Sequence, residues 1–191
     1  ASATIRKGLA MGAASALQVV DPALAGADLG VTATVLAAAV RRAGFDLVIP
    51  GNLSTDGSGG VIPAMLAEHL GVPQATALSS VTISASEVSG TRATDGGVAQ
   101  VTAALPAVIS ITEALPDARF PNFKGIMAAK KKPFETVSLA DLDVDIDPAA
   151  APQSILTQVS EKPARGAGVK ITDEGDAGEK LAAYLIENRL A

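Results

Sequence analysis

Phe45-Asp-Leu-Val-Ile-Pro50, running into Gly51-Asn-Leu-Ser-Thr-Asp-Gly-Ser-Gly-Gly60, is the stretch of this 191-residue chain that decides its fold. A short apolar run of strand length passes into a loop of glycines and hydroxyl residues. Ile62, Met65, Leu66 and Leu70 then recur at helical spacing until Gly71 and Pro73 stop the helix. The same alternation continues upstream. Val35, Leu36, Ala39, Val40 and Ala43 form an apolar helical stripe ended by Gly44, Ala16-Leu-Gln-Val-Val20 reads as a short buried strand, and Ile5 to Met11 is helical up to Gly12. Helices and strands in alternation predict a parallel sheet with helices packed on its faces.

Downstream of Pro73 the pattern changes to four strand-like runs at residues 81–86, 88–94, 98–103 and 107–112. Asp95-Gly96 between the second and third suits the positive backbone angles of a tight hairpin turn, so part of the sheet is expected to be antiparallel. Residues 115–163 are irregular and punctuated by proline, too long for an ordinary connection, and are expected to lie along another chain. Order returns at Asp176, which with Glu179 resembles a capping box; Leu181, Leu185, Ile186 and Leu190 share one face of a terminal helix. The fold class is therefore α/β and Rossmann-like, with a mostly parallel sheet, helices on both faces, an added antiparallel hairpin and an extended C-terminal arm.

Composition narrows the function. A hydrophobic content of 48% is enough for a buried core, and a net charge of −5 argues against a nucleic-acid partner, whose phosphates call for excess lysine and arginine. No run reaches the roughly 18 apolar residues of a membrane helix, so direct membrane insertion is not expected. The chain has no cysteine, which fits a reducing, cytoplasmic setting, and its opening residues lack the pattern of an export signal. With His69 as the sole histidine, a Ser-His-Asp triad or a multi-histidine metal site would have to be built on one residue, near a helix end where a surface or capping role is commoner.

The loop at residues 51–60 carries the chemistry that remains. Its glycines let backbone amides approach an anion, Ser54, Thr55 and Ser58 supply hydroxyls, and the following helix presents its positive end. It matches neither common glycine-rich phosphate motif and has no lysine, so a monophosphate or pyrophosphate suits it better than a triphosphate. Asp56 would repel an anion unless loop amides occupy its carboxylate. A plain strand-to-helix turn is an equal reading of the same spacing.

Several blocks of the chain, in order, resemble the β subunits of electron-transfer flavoproteins. They are Ile5-Arg-Lys-Gly-Leu-Ala-Met-Gly-Ala13, the strand and loop at residues 46–60, Gly71-Val-Pro-Gln-Ala-Thr76, and Arg92-Ala-Thr-Asp-Gly-Gly97 with Leu105-Pro-Ala-Val-Ile109. Ile126-Met-Ala-Ala-Lys-Lys-Lys-Pro133 and Pro163-Ala-Arg-Gly-Ala-Gly-Val-Lys170 complete the series, so the resemblance spans essentially the whole chain. It implies an electron-carrier subunit without catalytic residues of its own, paired with an α subunit that holds most of an FAD. This chain would bind AMP through Asn52, Leu53, Ser54, Thr55, Asp56, Gly57, Ser58, Gly59 and Gly60. Electrons would come from acyl-CoA-type dehydrogenases of fatty acid oxidation and leave to a quinone oxidoreductase.

Residues 118–125 resemble the family's recognition loop, with Phe123 as its protruding anchor and Ile126 and Met127 beside it; by sequence alone, folding of Phe123 onto the core is the favoured reading. Lys130-Lys-Lys132 reads either as steering for acidic partners or as a solvated charge run. The implied organisation is a nucleotide-binding domain over residues 1–114, a recognition loop and helix over 115–133, and an arm with a terminal helix packing on the α subunit over 134–191. Gly59 departs from the family by standing where a threonine is usual, and the spacing from Asp95 to Pro106 is one residue short. The family also begins with further strands, so at least one βαβ unit of roughly 30 residues is expected ahead of Ala1. Two other readings keep the fold: a bifurcating flavoprotein with a second FAD in the AMP site, and a stand-alone adenine-nucleotide-binding protein.

Overall fold

The computed structural model describes residues 2–55, 57–144 and 157–190, and the chain divides into two compact units, residues 1–155 and 156–191. The first unit opens with helix α1 (Ser2–Met11), strand β1 (Ala16–Val19) and helix α2 (Leu29–Ala43), then β2 (Leu47–Val48) and helix α3 (Ile62–Leu70). Five strands follow: β3 (Gln74–Leu78), β4 (Ser80–Ile83), β5 (Glu87–Thr94), β6 (Gly97–Ala104) and β7 (Ala107–Ile111). Helix α4 (Phe123–Ala129) and strand β8 (Phe134–Val137) complete its regular elements.

Local chemistry sets the helix ends. Asp28 caps α2 by accepting from the Val31 N–H at 3.0 Å, and Gly44 ends it at a φ of 73°. Gly71 closes α3 in the left-handed conformation, where Val72 N–H reaches the Ala67 carbonyl at 3.1 Å.

The parallel strands form two sheets, β1–β8 and β2–β7–β3, in the α/β, Rossmann-like architecture the sequence predicts. β1 and β2 are joined through α2 without pairing to each other. An apolar cleft of about 390 Å³ lies against β1 and α2, lined by Leu17, Val19, Val35, Leu36 and Ala39 among others. β7 is the buried central strand of the larger sheet, and its side chains alternate between two cores. Val108 joins Ala37, Leu66 and Ala67 beneath α2 and α3, while Ala107 and Ile109 join Ala75, Leu78, Val88 and Ala103. Helices thus cover one face of this sheet, and the antiparallel sheet β4–β5–β6 packs on the other. Leu78 and Ile109 are fully buried, and each contributes roughly 1.5–3 kcal/mol by leaving water.

The chain passes from the parallel to the antiparallel sheet at a single residue, Ser79. Its N–H donates to the Thr91 carbonyl at 2.7 Å, and the hydroxyls of Ser80 and Thr91 meet at 2.7 Å. The β5–β6 hairpin forms at Asp95-Gly96 as the sequence predicts. The positive φ, however, falls on Gly97 at 144° and not on the Asp-Gly pair. The peptide between Leu105 and Pro106 is cis.

The arm read from the irregular sequence began at residue 134, yet that segment belongs to the first unit. β8 pairs in parallel with β1, aligning Ala16 with Phe134 and Val19 with Val137. A proline before a short, half-buried strand reads as loop, and only pairing with β1, far away in sequence, makes it a strand. The turn after it is held by Asp141, whose carboxylate accepts from the Ser138 N–H at 2.8 Å and the Ser138 hydroxyl at 2.7 Å. Those bonds, the backbone one first, hold the Asp141 carboxyl below its usual pKa. Their stabilisation is present above the usual carboxylate range and is lost as pH falls through the lowered value.

The second unit carries one helix among its described residues, α5 (Ala177–Glu187). The expected capping box does not form. Asp173 takes the capping role instead, accepting from Gly175 N–H at 2.9 Å and Ala177 N–H at 3.3 Å, while Asp176 pairs with Lys180 at 2.9 Å. Leu181, Ile186 and Leu190 are exposed. Among the described residues no helix is long and apolar enough to cross a membrane.

Candidate functional site

The loop at residues 51–60 leaves the carboxyl end of β2 and enters α3, beside the carboxyl ends of β7 and β3. This is where α/β sheets place ligands. Three of its described residues have positive φ: Gly57 at 68°, Ser58 at 47° and Gly60 at 64°. A chain turned this way can point successive N–H groups to one side, the arrangement that forms anion-binding nests. Ser58 hydroxyl donates to the Ser54 carbonyl at 3.2 Å and so ties the loop across itself. At the entrance to α3, Val61 is the N-cap and supplies no side-chain acceptor, which leaves the helix end to backbone donors and its dipole.

Two glycines in the loop have different reasons for being glycine. A Cβ at Gly60 would come within 2.7 Å of Leu53 Cδ2, the movable end of an exposed side chain, so it is the φ of 64° that favours glycine there. A Cβ at Gly59 would meet only Leu29 Cδ1 at 3.7 Å and Val61 Cγ2 at 3.9 Å, ordinary contacts. Gly59 has room for a larger side chain.

Asn52, Leu53, Ser54, Thr55, Gly57, Ser58, Gly59 and Gly60 therefore lie together in one loop, while Asp56 lies outside the described residues. Of these only Asn52 is half-buried; the rest are exposed.

Sequence reading missed the residue that fastens this loop. Ser110 in β7 is 1% exposed, the one buried polar side chain among the described residues. Its hydroxyl accepts from the Ala77 N–H at 2.7 Å and donates to Asn52 Oδ1 at 3.3 Å. Ala77 sits at the irregularity in the β3–β7 pairing with a φ of 57°, so one hydroxyl holds both a strained strand and the start of the loop. The signal was available, since a serine inside Ala107-Val-Ile-Ser-Ile111 is a polar group in a strand buried on both faces and needs a partner there. Ser110→Ala is expected to lower stability by about 1–3 kcal/mol, because the Ala77 N–H loses its acceptor. Urea unfolding of Ser110→Ala beside Ser110→Thr checks this, with threonine restoring most of the loss.

His69 is exposed near the end of α3, and its backbone carbonyl, not its ring, accepts from Arg41.

The second set of expected residues is on α4. Phe123 is 79% exposed, and Ile126 and Met127 are each 47% exposed, so the structure does not fold Phe123 onto the core. Asn122 Oδ1 caps α4 by accepting from Gly125 N–H at 2.7 Å. Gly125 lies so close to the Ala10 carbonyl that a Cβ there would collide with it, which packs α4 on α1. Lys132 differs from its neighbours in the charge run. Its Nζ donates to the carbonyls of Leu9 at 2.8 Å and Ala13 at 2.6 Å, closing the end of α1, whereas Lys130 and Lys131 are exposed.

A parallel α/β core with a left-handed, hydroxyl-bearing loop at its strand ends, joined to an antiparallel sheet and an exposed aromatic helix, defines the class of protein. The electron transfer flavoprotein domain matches residues 1–142, nearly all of the first unit that is described. The electron transfer flavoprotein subunit beta of Mycobacterium leprae is 45% identical over 194 aligned positions, covering 100% of this chain and 73% of that protein. Those of Syntrophomonas wolfei and Sus scrofa are each 35% identical, covering 95% and 93% of this chain and 68% and 69% of theirs. The chain belongs to the electron transfer flavoprotein family, among its beta subunits.

Proposed function

We propose that this chain is the β partner in a cytoplasmic heterodimer with an electron-transfer flavoprotein α subunit, holding AMP in the 51–60 loop and helping to enclose an FAD bound mainly by α. The flavin supplies the redox chemistry when bound, and this chain supplies position and surroundings. The observation that carries the nucleotide assignment is the loop itself: left-handed residues at 57, 58 and 60, hydroxyls at 54 and 55, and a helix end with no side-chain cap. That donor set fits one phosphate group. Asn52 to Thr55 line the nucleoside side, and Gly57 to Gly60 face the phosphate.

Phe123, with Ile126 and Met127, is the contact for acyl-CoA-type dehydrogenases, which deliver electrons that pass on to a quinone oxidoreductase. Its exposure on a helix fixed at both its cap and its packing face supports this assignment.

The test is to denature the assembled protein from its native source and identify each released nucleotide by mass. One FAD and one AMP per heterodimer are expected. Two FAD without AMP would replace this reading by the bifurcating one, and a nucleotide with no flavin would replace both by a stand-alone binding protein. Gly59→Trp is expected to abolish AMP retention, because an indole rooted there would occupy the phosphate position. AMP content unchanged in that variant removes the loop from the site.

A further inference from the structure

Two hydrogen bonds in series fix which way the Asn52 carboxamide faces. The Ala77 N–H can only donate, so at 2.7 Å it takes a lone pair of the Ser110 oxygen. The Ser110 hydroxyl hydrogen is left to donate, and it meets the Asn52 carboxamide at 3.3 Å. With that amide turned round, Nδ2 would face the Ser110 oxygen and the hydroxyl hydrogen would have no acceptor among the described residues. Ser110 is 1% exposed, so bulk water does not take the acceptor's place. Oδ1 therefore faces β7, and Nδ2, at the other end of the same planar group, is turned away from it.

The relay is rooted in rigid structure. Residues 107–110 of β7 are all buried, and Ala77, with its φ of 57°, sits where β3 shifts register against β7. At its other end the relay reaches the loop. A Cβ on Gly60 would stand 3.6 Å from the Asn52 carbonyl oxygen, so the start and the end of the loop lie together. Asn52 is half-buried, and its Nδ2 makes no hydrogen bond among the described residues. An amide with its oxygen engaged and its N–H groups unspent, beside a left-handed turn, is an oriented donor.

We propose that Ser110 is a positioning residue for the nucleotide, fixing the Asn52 carboxamide so that Asn52 offers the nucleoside a donor and not an acceptor. The ligand group selected is an acceptor atom, either a ring nitrogen of the base or a ribose oxygen. The proposal rests on the reading of the 51–60 loop as the AMP site and adds what orients one of its contacts. An unrestrained asparagine can pair an adenine edge through both ends of its amide, donating to a ring nitrogen and accepting from the exocyclic amino group. Engagement of Oδ1 by Ser110 closes that two-point pairing and leaves one donated hydrogen bond.

The experiment measures, by mass, how well AMP analogues displace AMP from the assembled heterodimer, with its α subunit and flavin in place. The analogues replace one ring nitrogen of the base by C–H, or lack a ribose hydroxyl. The variants are Asn52→Asp, Ser110→Ala, Ser110→Thr and Ser110→Cys, with Gly59→Trp as the control for the loop. One analogue is expected to bind the unsubstituted protein about tenfold less tightly than AMP, and its identity separates base from ribose as the source of the acceptor. Asn52→Asp keeps an oxygen for Ser110 to donate to and removes the donor, so there the analogue's penalty is expected to vanish. The charge of the aspartate acts on AMP and analogue alike and drops out of this comparison. In Ser110→Ala the amide is free to turn, and the penalty is expected to shrink to about threefold or less. Ser110→Cys, close in shape and a weaker donor, is expected to fall between, and Ser110→Thr to restore the full penalty. A merely structural Ser110 would lower the melting temperature and leave the penalty as it was.

Equal binding of all analogues by the unsubstituted protein, or an unaltered penalty in Asn52→Asp, would overturn the donor assignment, while loss of AMP in Gly59→Trp leaves the loop standing. A penalty absent in Asn52→Asp yet complete in Ser110→Ala and Ser110→Cys would overturn the positioning role of Ser110. Full retention of AMP by Gly59→Trp would overturn the loop reading and this proposal with it.

Discussion

Gly90→Val is expected to lower stability by roughly 3 kcal/mol or more, while Gly96→Ala, six residues along the same hairpin, changes it by less than about 0.5 kcal/mol. Gly90 is buried in β5 opposite Val81. A Cβ built there runs into the carbonyl oxygen of Ser80 and comes within 3.2 Å of Leu78 Cδ1. The first of these obstacles is backbone, at the point where the chain crosses from the parallel to the antiparallel sheet, so it cannot turn aside as a side-chain tip could. Relief would require breaking the Ser79–Thr91 and Ser80–Thr91 hydrogen bonds that hold the corner. Gly96 has no atom within 4 Å of such a Cβ and no positive φ, so alanine fits. For a chain of this size the difference corresponds to a fall in melting temperature of about 6–12 °C for the first variant and hardly any for the second. Equal melting of the two variants would show that the two sheets do not meet at this corner.

That corner also explains which parts of the fold are legible in the sequence. Helices α2 and α3 are plain because their stripes and their terminal glycines, Gly44 and Gly71, act within a few residues of each other. The hairpin is equally plain from Asp95-Gly96, although the backbone places its positive φ on Gly97. Pairings over long distances are not plain. β8 is a strand only because β1 lies beside it, more than a hundred residues earlier, and the split of the parallel strands into two sheets leaves no mark on local periodicity. The same distinction runs through the site. The glycines and hydroxyls of the loop announce themselves within ten residues, but Ser110 acts on Asn52 and Ala77 from another strand. The capping residue of α5 shows the limit of motif spacing, since Asp173 lies close enough to compete with Asp176 and takes the amide.

Phe123→Ala is expected to reduce dehydrogenase-driven kcat/KM by about 30-fold, equivalent to about 2 kcal/mol, with melting temperature and flavin content unchanged. Size and position both support an effect of this order. The ring stands 79% exposed at the first turn of α4, so removing it leaves no cavity in this chain and leaves the core clusters untouched. Its backbone, by contrast, is fixed: Asn122 caps the helix, Gly125 lies against the Ala10 carbonyl, and Lys132 closes α1 beneath. A rigid base beneath a protruding ring keeps low the entropy lost on docking, which is why one aromatic on a fixed helix can carry a large share of an interface. Stopped-flow reduction by the dehydrogenase, set beside reduction by dithionite, separates docking from flavin chemistry, and only the first is expected to slow. Loss of FAD in the variant would place the ring in the interior of the assembled protein. An unchanged rate would remove Phe123 from the dehydrogenase contact.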